Sequence, residues 1–330
     1  MRAAVLDHPP SENPDAKLVI NGDLPEPAAG AGEVVIQVRG VGICGSDLAL
    51  LAGRRHPPRL PWVPGHETVG EIVVTGPGVD ADRIGERVIV EPNFPCFSCD
   101  ACRTGRTSAC PRRTVLGFSA PGTLAERIVV PGLFAWPVPD GWSDADAVCA
   151  EPLAVAQAAI RRAGEAAAGR CLVVGAGSQG ALACLALVSQ GIPTHVLEPN
   201  PERLALAADL GATPAADGDL NFDLIFETSG SAPAFSEAVR RAAPGGSIIM
   251  IGMSADPITV STQAMVSRQL TARGSLIYDH PGDFSATIRS ASSGIRPGRV
   301  LQASYPLDEA DAAFRAARGV PGKTWIQVSG

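Results

Sequence analysis

Short apolar or alternating runs, separated by turn residues, make up the first part of the chain. The runs that predict strands are residues 3–6, 17–20, 33–39, 71–75 and 86–91. In the third run, Val34, Ile36 and Val38 alternate with positions that include Gln37 and Arg39, which predicts a strand with one wetter face. Many short strands in succession predict a compact β-rich domain, barrel-like or sandwich-like.

The second part of the chain has a different pattern, in which apolar strands alternate with helical runs. The predicted strands cover residues 170–174, 194–197, 222–226, 247–251 and 270–278, and the predicted helices cover residues 181–189, 201–210 and 232–242. Such alternation predicts an α/β domain with a parallel, doubly wound sheet. After these elements, the pattern of the first part of the chain resumes, with a predicted helix over 308–318 and a predicted strand over 325–328. We expect this tail to rejoin the β-rich domain.

Composition does not alter the predicted fold, but it argues against nucleic acid and membranes as partners. The 330 residues suffice for two domains, and 45% hydrophobic with 18% charged residues is typical of a globular protein. A net charge of −7 gives no electrostatic reason to expect nucleic acid or an anionic membrane as a partner. There is no run of eighteen apolar residues, and the N-terminus reaches Asp7 too soon for a signal peptide. We expect a cytoplasmic protein.

Four of the eight cysteines are clustered. Cys96-x-x-Cys99-x-x-Cys102, followed by Cys110, can close a tetrahedral zinc site with no open position. The small and polar residues between Cys102 and Cys110 offer no apolar face, so a metal would supply the missing order. Disulfides are disfavoured in a reducing compartment, and an iron–sulfur cluster is a lesser alternative. Three further cysteines lie in apolar stretches and are expected to be inert core residues: Cys149, Cys171 and Cys184.

A second set of metal-binding residues is spread along the chain. It consists of Cys44, His66, Glu67 and Glu151. A thiolate, an imidazole and one or two carboxylates suit zinc, and so few protein ligands can leave a position open for substrate. Either glutamate could complete the coordination. Asp47 can cap a helix that begins near Leu48, or can orient the histidine, and both roles are compatible.

A dinucleotide fingerprint follows the first strand of the second part. Gly175-Ala176-Gly177-Ser178-Gln179-Gly180 has the G-x-G-x-x-G pattern between a predicted strand and a predicted helix, which is the context that a bound pyrophosphate requires. The next strand ends at Glu198, where an acid can bind a ribose diol and would repel a 2′-phosphate. NAD is therefore favoured over NADP, although Arg203 can reach the ribose or a phosphate. Three more candidates follow later strands, at Ser229, Gly252 and Ser275.

These motifs together resemble those of the zinc-dependent medium-chain dehydrogenases/reductases, in the alcohol and polyol dehydrogenase group. The resemblance covers nearly the whole chain. It rests on Gly42-Ile43-Cys44-Gly45-Ser46-Asp47, Pro64-Gly65-His66-Glu67, the four cysteines of 96–110, Glu151-Pro152-Leu153-Ala154, the glycine fingerprint and Leu210-Gly211-Ala212.

The resemblance implies a GroES-like β-rich catalytic domain and a Rossmann domain. We accordingly assign residues 1–147 to the catalytic domain, 148–282 to the NAD-binding domain, and 283–330 to a segment that returns to the catalytic domain. It also implies two zinc ions per chain, one catalytic and one structural. Relatives commonly form homodimers or homotetramers through the last Rossmann strands, here around 270–278.

The same resemblance assigns roles to individual residues. It implies that zinc activates an alcohol oxygen, that nicotinamide accepts a hydride, and that Ser46 begins a proton relay to which Glu67 can contribute. Asp47 supports the histidine ligand. Many relatives have a relay histidine five residues after the ligand cysteine, where this chain has Ala49, while His56 stands at another spacing. Asn93, Phe94 and Phe118 are candidates for the substrate pocket.

Glu151 stands where typical alcohol dehydrogenases have a cysteine, which places this chain nearer the polyol, sugar and threonine dehydrogenases. The run from Cys44 to Gly53 is also similar to dehydrogenases of aminocyclitol biosynthesis. We therefore predict oxidation of a secondary alcohol of a polyol, sugar or cyclitol by NAD. The alternatives are an NADPH-dependent reductase of a biosynthetic ketone or aldehyde, and a non-catalytic protein that binds zinc and nucleotide.

Overall fold

The chain divides into two units in the computed structural model, which describes residues 1–8, 17–164 and 169–329. The first unit comprises Met1–Glu151 and Leu301–Gly330, and the second comprises Pro152–Val300. The sequence placed the second boundary earlier, at 282/283. Residues 283–300 stay with the second unit because their helix is hydrogen-bonded to it: Thr287 donates to Gln157 Oε1 at 2.8 Å, and Gln157 Nε2 donates to Ser290 at 3.2 Å.

The strands are short, as the spacing of turn residues predicts. They are Ala3–Leu6 (β1), Leu18–Asn21 (β2), Glu33–Gly42 (β3), Glu67–Thr75 (β4), Arg87–Val90 (β5), Asn93–Phe94 (β6), Thr114–Val115 (β7), Arg127–Pro131 (β8), Ala135–Pro137 (β9), Cys171–Val174 (β10), Thr194–Leu197 (β11), Thr213–Pro214 (β12), Phe222–Glu227 (β13), Ala242–Met250 (β14), Thr271–Gly274 (β15), Leu301–Pro306 (β16) and Lys323–Gln327 (β17).

The helices lie mainly in the second half of the chain. They are Gly45–Leu51 (α1), Asp100–Arg103 (α2), Asp144–Val148 (α3), Ala150–Ala163 (α4), Ser178–Ser189 (α5), Pro201–Asp209 (α6), Ala232–Arg241 (α7), Thr262–Ser267 (α8), Gly282–Ser290 (α9) and Ala310–Ala316 (α10). No helix within the described ranges is long and apolar enough to cross a membrane.

The first unit is built on a sheet with β3 near its centre. Its strand order is β16-β17-β3-β4-β5-β9, and β8 also pairs with β3. Val34, Ile36 and Val38 are fully buried, as the alternation predicts, but Val35 is buried as well, at 2% exposure. A register shift between Val35 and Ile36 interrupts strict alternation at this point. The returning tail supplies β17, which pairs antiparallel with the end of β3, as we expected.

The second unit contains a six-stranded sheet in the order β12-β11-β10-β13-β14-β15, and every pairing in it is parallel. The predicted α/β fold class is confirmed. Apolar side chains of β10, β13 and β14 form its core with Phe235 and Ala238 of α7. Cys171 and Cys184 are fully buried here, and Cys149 is fully buried in the first unit, as expected of core cysteines.

Several predicted elements have different limits in the structure, among them the last strand of the parallel sheet and the helix predicted over 308–318. The last strand of the parallel sheet ends at Gly274 rather than at 278, because the chain leaves extended backbone and Ile277 has a φ of 39°. The helix predicted over 308–318 begins as a short 3-10 turn at Leu307–Glu309 and becomes α-helical only over Ala310–Ala316. Both differences fall at element ends, where local sequence signals are weakest.

Candidate active site

Three of the predicted metal ligands meet in the first unit. One donor atom each from Cys44, His66 and Glu67 lies within 4.8 Å of the others. The sheet brings these residues together because β3 and β4 pair with Gly42 opposite Glu67. Cys44 follows the end of β3 and His66 precedes the start of β4. We refer to Cys44, His66 and Glu67 as the three-ligand group.

Two glycines allow this approach. Gly65 has a φ of 94°, which an L side chain rarely adopts, so it turns the chain sharply before His66. A Cβ at Gly42 would lie 2.2 Å from Glu67 Oε2, so any side chain there would occupy the place of the Glu67 carboxylate. The glycines in both motifs are therefore steric requirements of the three-ligand group.

Asp47 combines the two roles that the sequence left open. It lies in the first turn of α1, where its carboxylate accepts a hydrogen bond from Cys44 N at 3.1 Å. The other carboxylate oxygen accepts from Gly65 N at 3.3 Å and lies 3.6 Å from His66 Nδ1. That last distance is too long for a hydrogen bond but gives a strong electrostatic contact, since both side chains are buried.

This contact sets the charge preference of the His66 imidazole. Burial disfavours the imidazolium, but the Asp47 carboxylate outweighs burial and raises the pKa of His66 well above its usual value. Burial likewise tends to raise the pKa of Asp47, and the facing His66 lowers it on balance. The Asp47 carboxylate therefore stabilises a positive charge on the His66 imidazole.

Lys323 is a site residue that the sequence reasoning missed. Its Nζ lies 2.5 Å from Glu67 Oε2, and both side chains are 1% exposed. Nζ also donates to Ile43 O at 3.1 Å. Burial disfavours the ammonium ion, but the Glu67 carboxylate raises the pKa of Lys323 above its usual value, so the lysine is charged. One signal was available: the chain has only two lysines, and Lys323 opens an apolar strand.

The second candidate glutamate is placed differently. Glu151 is buried at 5% exposure in the first turn of α4. Within the part of the chain that the structure describes, the group of mutually close ligand atoms includes Glu67 but not Glu151. Of the two glutamates, Glu67 is therefore the one whose carboxylate lies close to both Cys44 and His66.

Ser46 lies beside Cys44 at the start of α1. Its Oγ is buried and has no hydrogen-bond partner among the described residues. A buried hydroxyl without a partner is costly, so this atom is suited to a group that arrives with the substrate. Ala49 offers no relay atom, and His56 is exposed on the loop that follows α1.

The aromatic pocket candidates separate into two groups. The Phe118 ring packs edge-on against His66, with 5.3 Å between ring centroids. Phe94 instead packs against Phe134, with centroids 4.5 Å apart. Phe118 therefore borders the three-ligand group, whereas Phe94 has a packing partner of its own.

The cysteine lobe, residues 96–110, brings its four sulfurs together. The Sγ atoms of Cys96, Cys99, Cys102 and Cys110 lie within 4.8 Å of one another, and all four cysteines are free. Hydrogen bonds from Ser98 lower the pKa of Cys96 to about 5, while burial and neighbouring thiols raise that of Cys102 to about 12. Crowded sulfurs resist joint ionisation unless a cation joins them, and four sulfurs in this arrangement fit zinc.

In the second unit, the carboxyl ends of the parallel strands align in one row. The register places Leu197 beside Val174, Val174 beside Glu227, Glu227 beside Met250, and Met250 beside Gly274. The residues that directly follow these strands therefore lie along one edge of the sheet. The fingerprint turn and the candidate residues at 198, 229, 252 and 275 all follow strands of this row.

The three fingerprint glycines have three different surroundings. Gly175 has a φ of 89° and makes the tight turn after β10. A Cβ at Gly177 would meet no atom within 4 Å, so this face is open. A Cβ at Gly180 would lie 2.0 Å from Gly175 O, so α5 can pack closely only with glycine there. Ser178 begins α5, and the Gln179 side chain donates to Pro152 O at 3.1 Å.

Three further cofactor candidates are held by hydrogen bonds near the ends of their strands: Glu198, Ser229 and Ser275. Glu198 accepts hydrogen bonds from Ala176 N at 2.6 Å and from Asn200 N at 2.9 Å, which fixes its carboxylate beside the fingerprint turn. Ser229 donates to Glu227 Oε1 at 2.5 Å, and Ser275 Oγ accepts from Arg162 at 2.8 Å.

Two further candidates are placed by the backbone. A Cβ at Gly252 would lie 2.1 Å from Gly230 N, so two loops approach closely there. Arg203 lies in the first turn of α6, and its backbone N–H donates to the capping Asn200 side chain at 3.0 Å.

Comparisons with known proteins identify the family of this chain. The model of the alcohol dehydrogenase GroES-like domain matches residues 30–140, and that of the zinc-binding dehydrogenases matches residues 178–293. L-threonine 3-dehydrogenase of Yersinia pestis (strain Pestoides F) is 31% identical over 326 residues, covering 91% of this chain and 94% of that protein.

Solved structures show the same fold over the whole chain. The rspB alcohol dehydrogenase of Escherichia coli CFT073, complexed with NADH, has a TM-score of 0.89 at 26% identity and covers 99% of both chains. A Sinorhizobium meliloti 1021 protein bound to NADP has a TM-score of 0.87 at 24% identity and covers 99% of both chains. The chain belongs to the zinc-dependent medium-chain dehydrogenases and is an NAD(P)-dependent enzyme of the alcohol and polyol dehydrogenase group.

Proposed function

We propose that this enzyme oxidises a secondary alcohol of a polyol, sugar or cyclitol, with NAD as the hydride acceptor. The observation that carries the proposal is the three-ligand group, in which His66 and Glu67 are buried, together with the buried Ser46 Oγ, two residues after Cys44, which has no partner among the described residues. A metal site with few protein ligands and an adjacent proton acceptor is what alcohol oxidation requires.

The donor set fits a catalytic zinc ion. Cys44, His66 and Glu67 supply one soft, one borderline and one hard donor, a mixture that zinc accepts. Neither Glu67 oxygen has a hydrogen-bond partner of good geometry in the described structure, although Lys323 lies close. When bound, zinc supplies Lewis acidity at the substrate oxygen and NAD supplies the hydride acceptor. We assign the four sulfurs of the cysteine lobe to a second, structural zinc ion.

The chain's own residues then have distinct tasks. Asp47 orients the His66 imidazole, and Lys323 compensates the Glu67 charge. Ser46 Oγ accepts the proton that leaves the substrate hydroxyl while its own hydroxyl proton passes outward. Because Ala49 cannot continue the relay, we assign the next proton acceptor to solvent.

Glu198 supports the preference for NAD. Its carboxylate is fixed beside the fingerprint turn at the end of β11, where a ribose diol can donate to it and a 2′-phosphate would be repelled. We expect turnover with NAD to exceed turnover with NADP. Glu198→Ala should narrow this difference, because it removes the repulsion and the ribose contact together.

The experiment combines metal analysis with a substrate panel. Purified protein should hold two zinc ions per chain and should reduce NAD with at least one polyol, sugar or cyclitol. Ser46→Ala should retain both zinc ions and lower kcat by about 10²–10⁴-fold, the usual contribution of a proton-transfer group. Ser236→Ala, which alters an exposed serine on α7, is the matched control and should leave kcat unchanged.

Two results would contradict the proposal. Zinc-loaded protein that reduces neither NAD nor NADP across the panel would indicate a binding protein. Efficient ketone reduction with NADPH and little with NADH would indicate the biosynthetic reductase instead.

We also propose that the enzyme is a homodimer or homotetramer. The strand β15 is the edge of the parallel sheet, and its four residues are exposed. An open edge strand presents unpaired backbone groups that a second copy can pair with. Solution scattering should therefore give at least twice the mass of one chain, and a monomer would refute this assembly.

A further inference from the structure

A basic loop follows the helix that carries Ser46 and Asp47. We define the basic loop as residues 54–59, Arg54-Arg55-His56-Pro57-Pro58-Arg59. Three arginines in six residues are unusual in a chain that has 27 basic residues among 330 and a net charge of −7. Arg54 and Arg59 are exposed, whereas Arg55 is half-buried. The basic loop is therefore a local positive region on an acidic protein.

Arg55 is held in place beside the three-ligand group. Its backbone N–H donates to Ala49 O, in α1, at 3.2 Å. Its Nη2 donates to Gly117 O at 3.0 Å, and its guanidinium carbon lies 4.0 Å from the centroid of the Phe118 ring. The same Phe118 ring contacts His66, with 5.3 Å between the ring centroids. One aromatic ring thus contacts both the Arg55 guanidinium and a predicted zinc ligand.

The guanidinium has binding capacity that the protein does not use. Arg55 Nε is buried and has no hydrogen-bond partner among the described residues. The titratable groups that act on Arg55 are Asp47 and Cys44, and burial lowers the pKa of the guanidinium despite them. Asp47 is already occupied by backbone donors and faces His66.

A buried, unpaired N–H of a charged group costs more than a neutral one, so such a donor is suited to an anionic ligand. Planar guanidinium groups bind carboxylates and phosphates through paired N–H donors. Stacking on Phe118 limits the rotation of the side chain and so lowers the entropy lost on binding.

We propose that Arg55 is a specificity-determining residue that binds an anionic substituent, a carboxylate or a phosphate, on the substrate whose alcohol reacts at the three-ligand group. This inference rests on the proposed function and narrows its substrate class to acidic or phosphorylated polyols and sugars.

The test uses substrate pairs whose members differ only in the anionic group. Aldonates are compared with the corresponding alditols in one arm, and alditol phosphates with the corresponding alditols in the other, so the arms distinguish carboxylate from phosphate. Each pair is measured with wild type, Arg55→Gln, Arg55→Lys and the neighbouring control Arg54→Gln. Zinc content and Tm are recorded for every variant.

In at least one arm, kcat/KM of wild type should be higher for the anionic member. Arg55→Gln should lower that kcat/KM by about 10–100-fold, mainly through KM, because a charge-assisted contact remote from the reacting carbon is lost. Arg55→Lys should recover part of the loss. The neutral member should change by less than about 3-fold, and Arg54→Gln should leave both members within that range.

Other outcomes overturn the inference. If wild type prefers the neutral members, Arg55 does not select an anionic substrate. If Arg55→Gln affects both members equally or removes zinc, Arg55 has a structural role. In each of these cases the inference fails and the proposed function stands. If no member of any pair reduces NAD or NADP, the proposed function fails together with it.

Discussion

At the scale of single residues, the site depends on positions where only one side chain is sterically or electrostatically possible. Gly42 leaves room for the Glu67 carboxylate, Gly65 adopts a positive φ before His66, and Gly180 lets α5 approach Gly175. All three glycines belong to the sequence motifs, although the steric reason for Gly42 arises only when β3 pairs with β4. Lys323 was not predicted, because its partner Glu67 lies 256 residues earlier in the chain and is adjacent only after folding.

Substitutions at two fingerprint glycines should have different effects, one on NAD binding and the other on the stability of the fold. Gly177→Ala adds a methyl group into open space, so stability should stay within about 0.5 kcal/mol of wild type while the Kd for NAD rises at least about tenfold. Gly180→Ala forces a methyl group against Gly175 O and should destabilise the protein by about 1–3 kcal/mol. Urea unfolding and NAD titration measure the two effects. Equal stability of both variants would contradict this assignment.

Removing the buried ammonium group should cost stability in a metal-dependent way. Lys323→Met leaves the Glu67 carboxylate buried without its partner, which should cost about 3–5 kcal/mol in chelator-treated protein. The loss should be smaller with zinc bound, since the metal also compensates this charge. Urea unfolding with and without chelator gives both values.

The other lysine provides the control for this measurement. Lys17 is exposed, so Lys17→Met should change stability by less than about 0.5 kcal/mol. If Lys323→Met were equally harmless in chelator-treated protein, the pairing of Lys323 with Glu67 would have no energetic role.

At the scale of elements, each strand end delivers one functional residue, and register decides which residues become neighbours. The pairing of β3 with β4 joins the ligands, and the parallel register aligns the residues that follow β10, β11, β13, β14 and β15.

Helices add fixed charges at defined places. In α7, Glu237 accepts from Arg240 at 2.8 Å and from Arg241 at 2.6 Å. Arg241 also donates to Ala216 O at 2.7 Å, which ties α7 to the preceding loop.

This cluster predicts a pH-dependent contribution to stability. Hydrogen bonds from Arg240, then Arg241, lower the pKa of Glu237 to about 2 from its usual value near 4.5. Because the folded-state pKa is the lower one, the stabilisation is present above about pH 4.5 and is lost as pH falls toward 2. Glu237→Gln should cost about 1 kcal/mol at pH 7, a value reduced for solvent screening.

Chemical denaturation across the pH range checks the sign of this effect. The stability difference between wild type and Glu237→Gln should be constant from pH 7 to about 5 and should shrink below that. A difference that grows as the pH falls would show that the ion pairs do not stabilise α7.

At the scale of the whole molecule, the chain forms two units, and the first is completed only by the C-terminal segment. Phe314 of α10 is buried in the core of the first unit, which also contains residues of β1 and β3. Phe284 of α9 is buried in the second unit and packs on Tyr278, with ring centroids 5.2 Å apart. The sequence boundary at 282/283 would have assigned both phenylalanines to the catalytic domain.

Two core truncations test which unit each segment stabilises. Phe314→Ala and Phe284→Ala should each cost about 3–5 kcal/mol locally, because each removes a buried ring. Hydrogen exchange should speed up in 1–151 and 301–329 for Phe314→Ala, and in 152–300 for Phe284→Ala. Faster exchange in the first unit for Phe284→Ala would favour the boundary at 282/283.

The sequence by itself determined the family, the α/β fold class and the main candidate residues, because each of these depends on short motifs with local physical causes. A glycine fingerprint needs its strand–turn–helix context, and clustered cysteines need only their spacing. The tertiary structure decided what depends on residues distant in sequence. It brought Lys323 to Glu67, placed Glu67 rather than Glu151 with Cys44 and His66, and set Arg55 against Phe118. Such contacts follow from strand register and loop packing, which hydrophobic patterns do not specify.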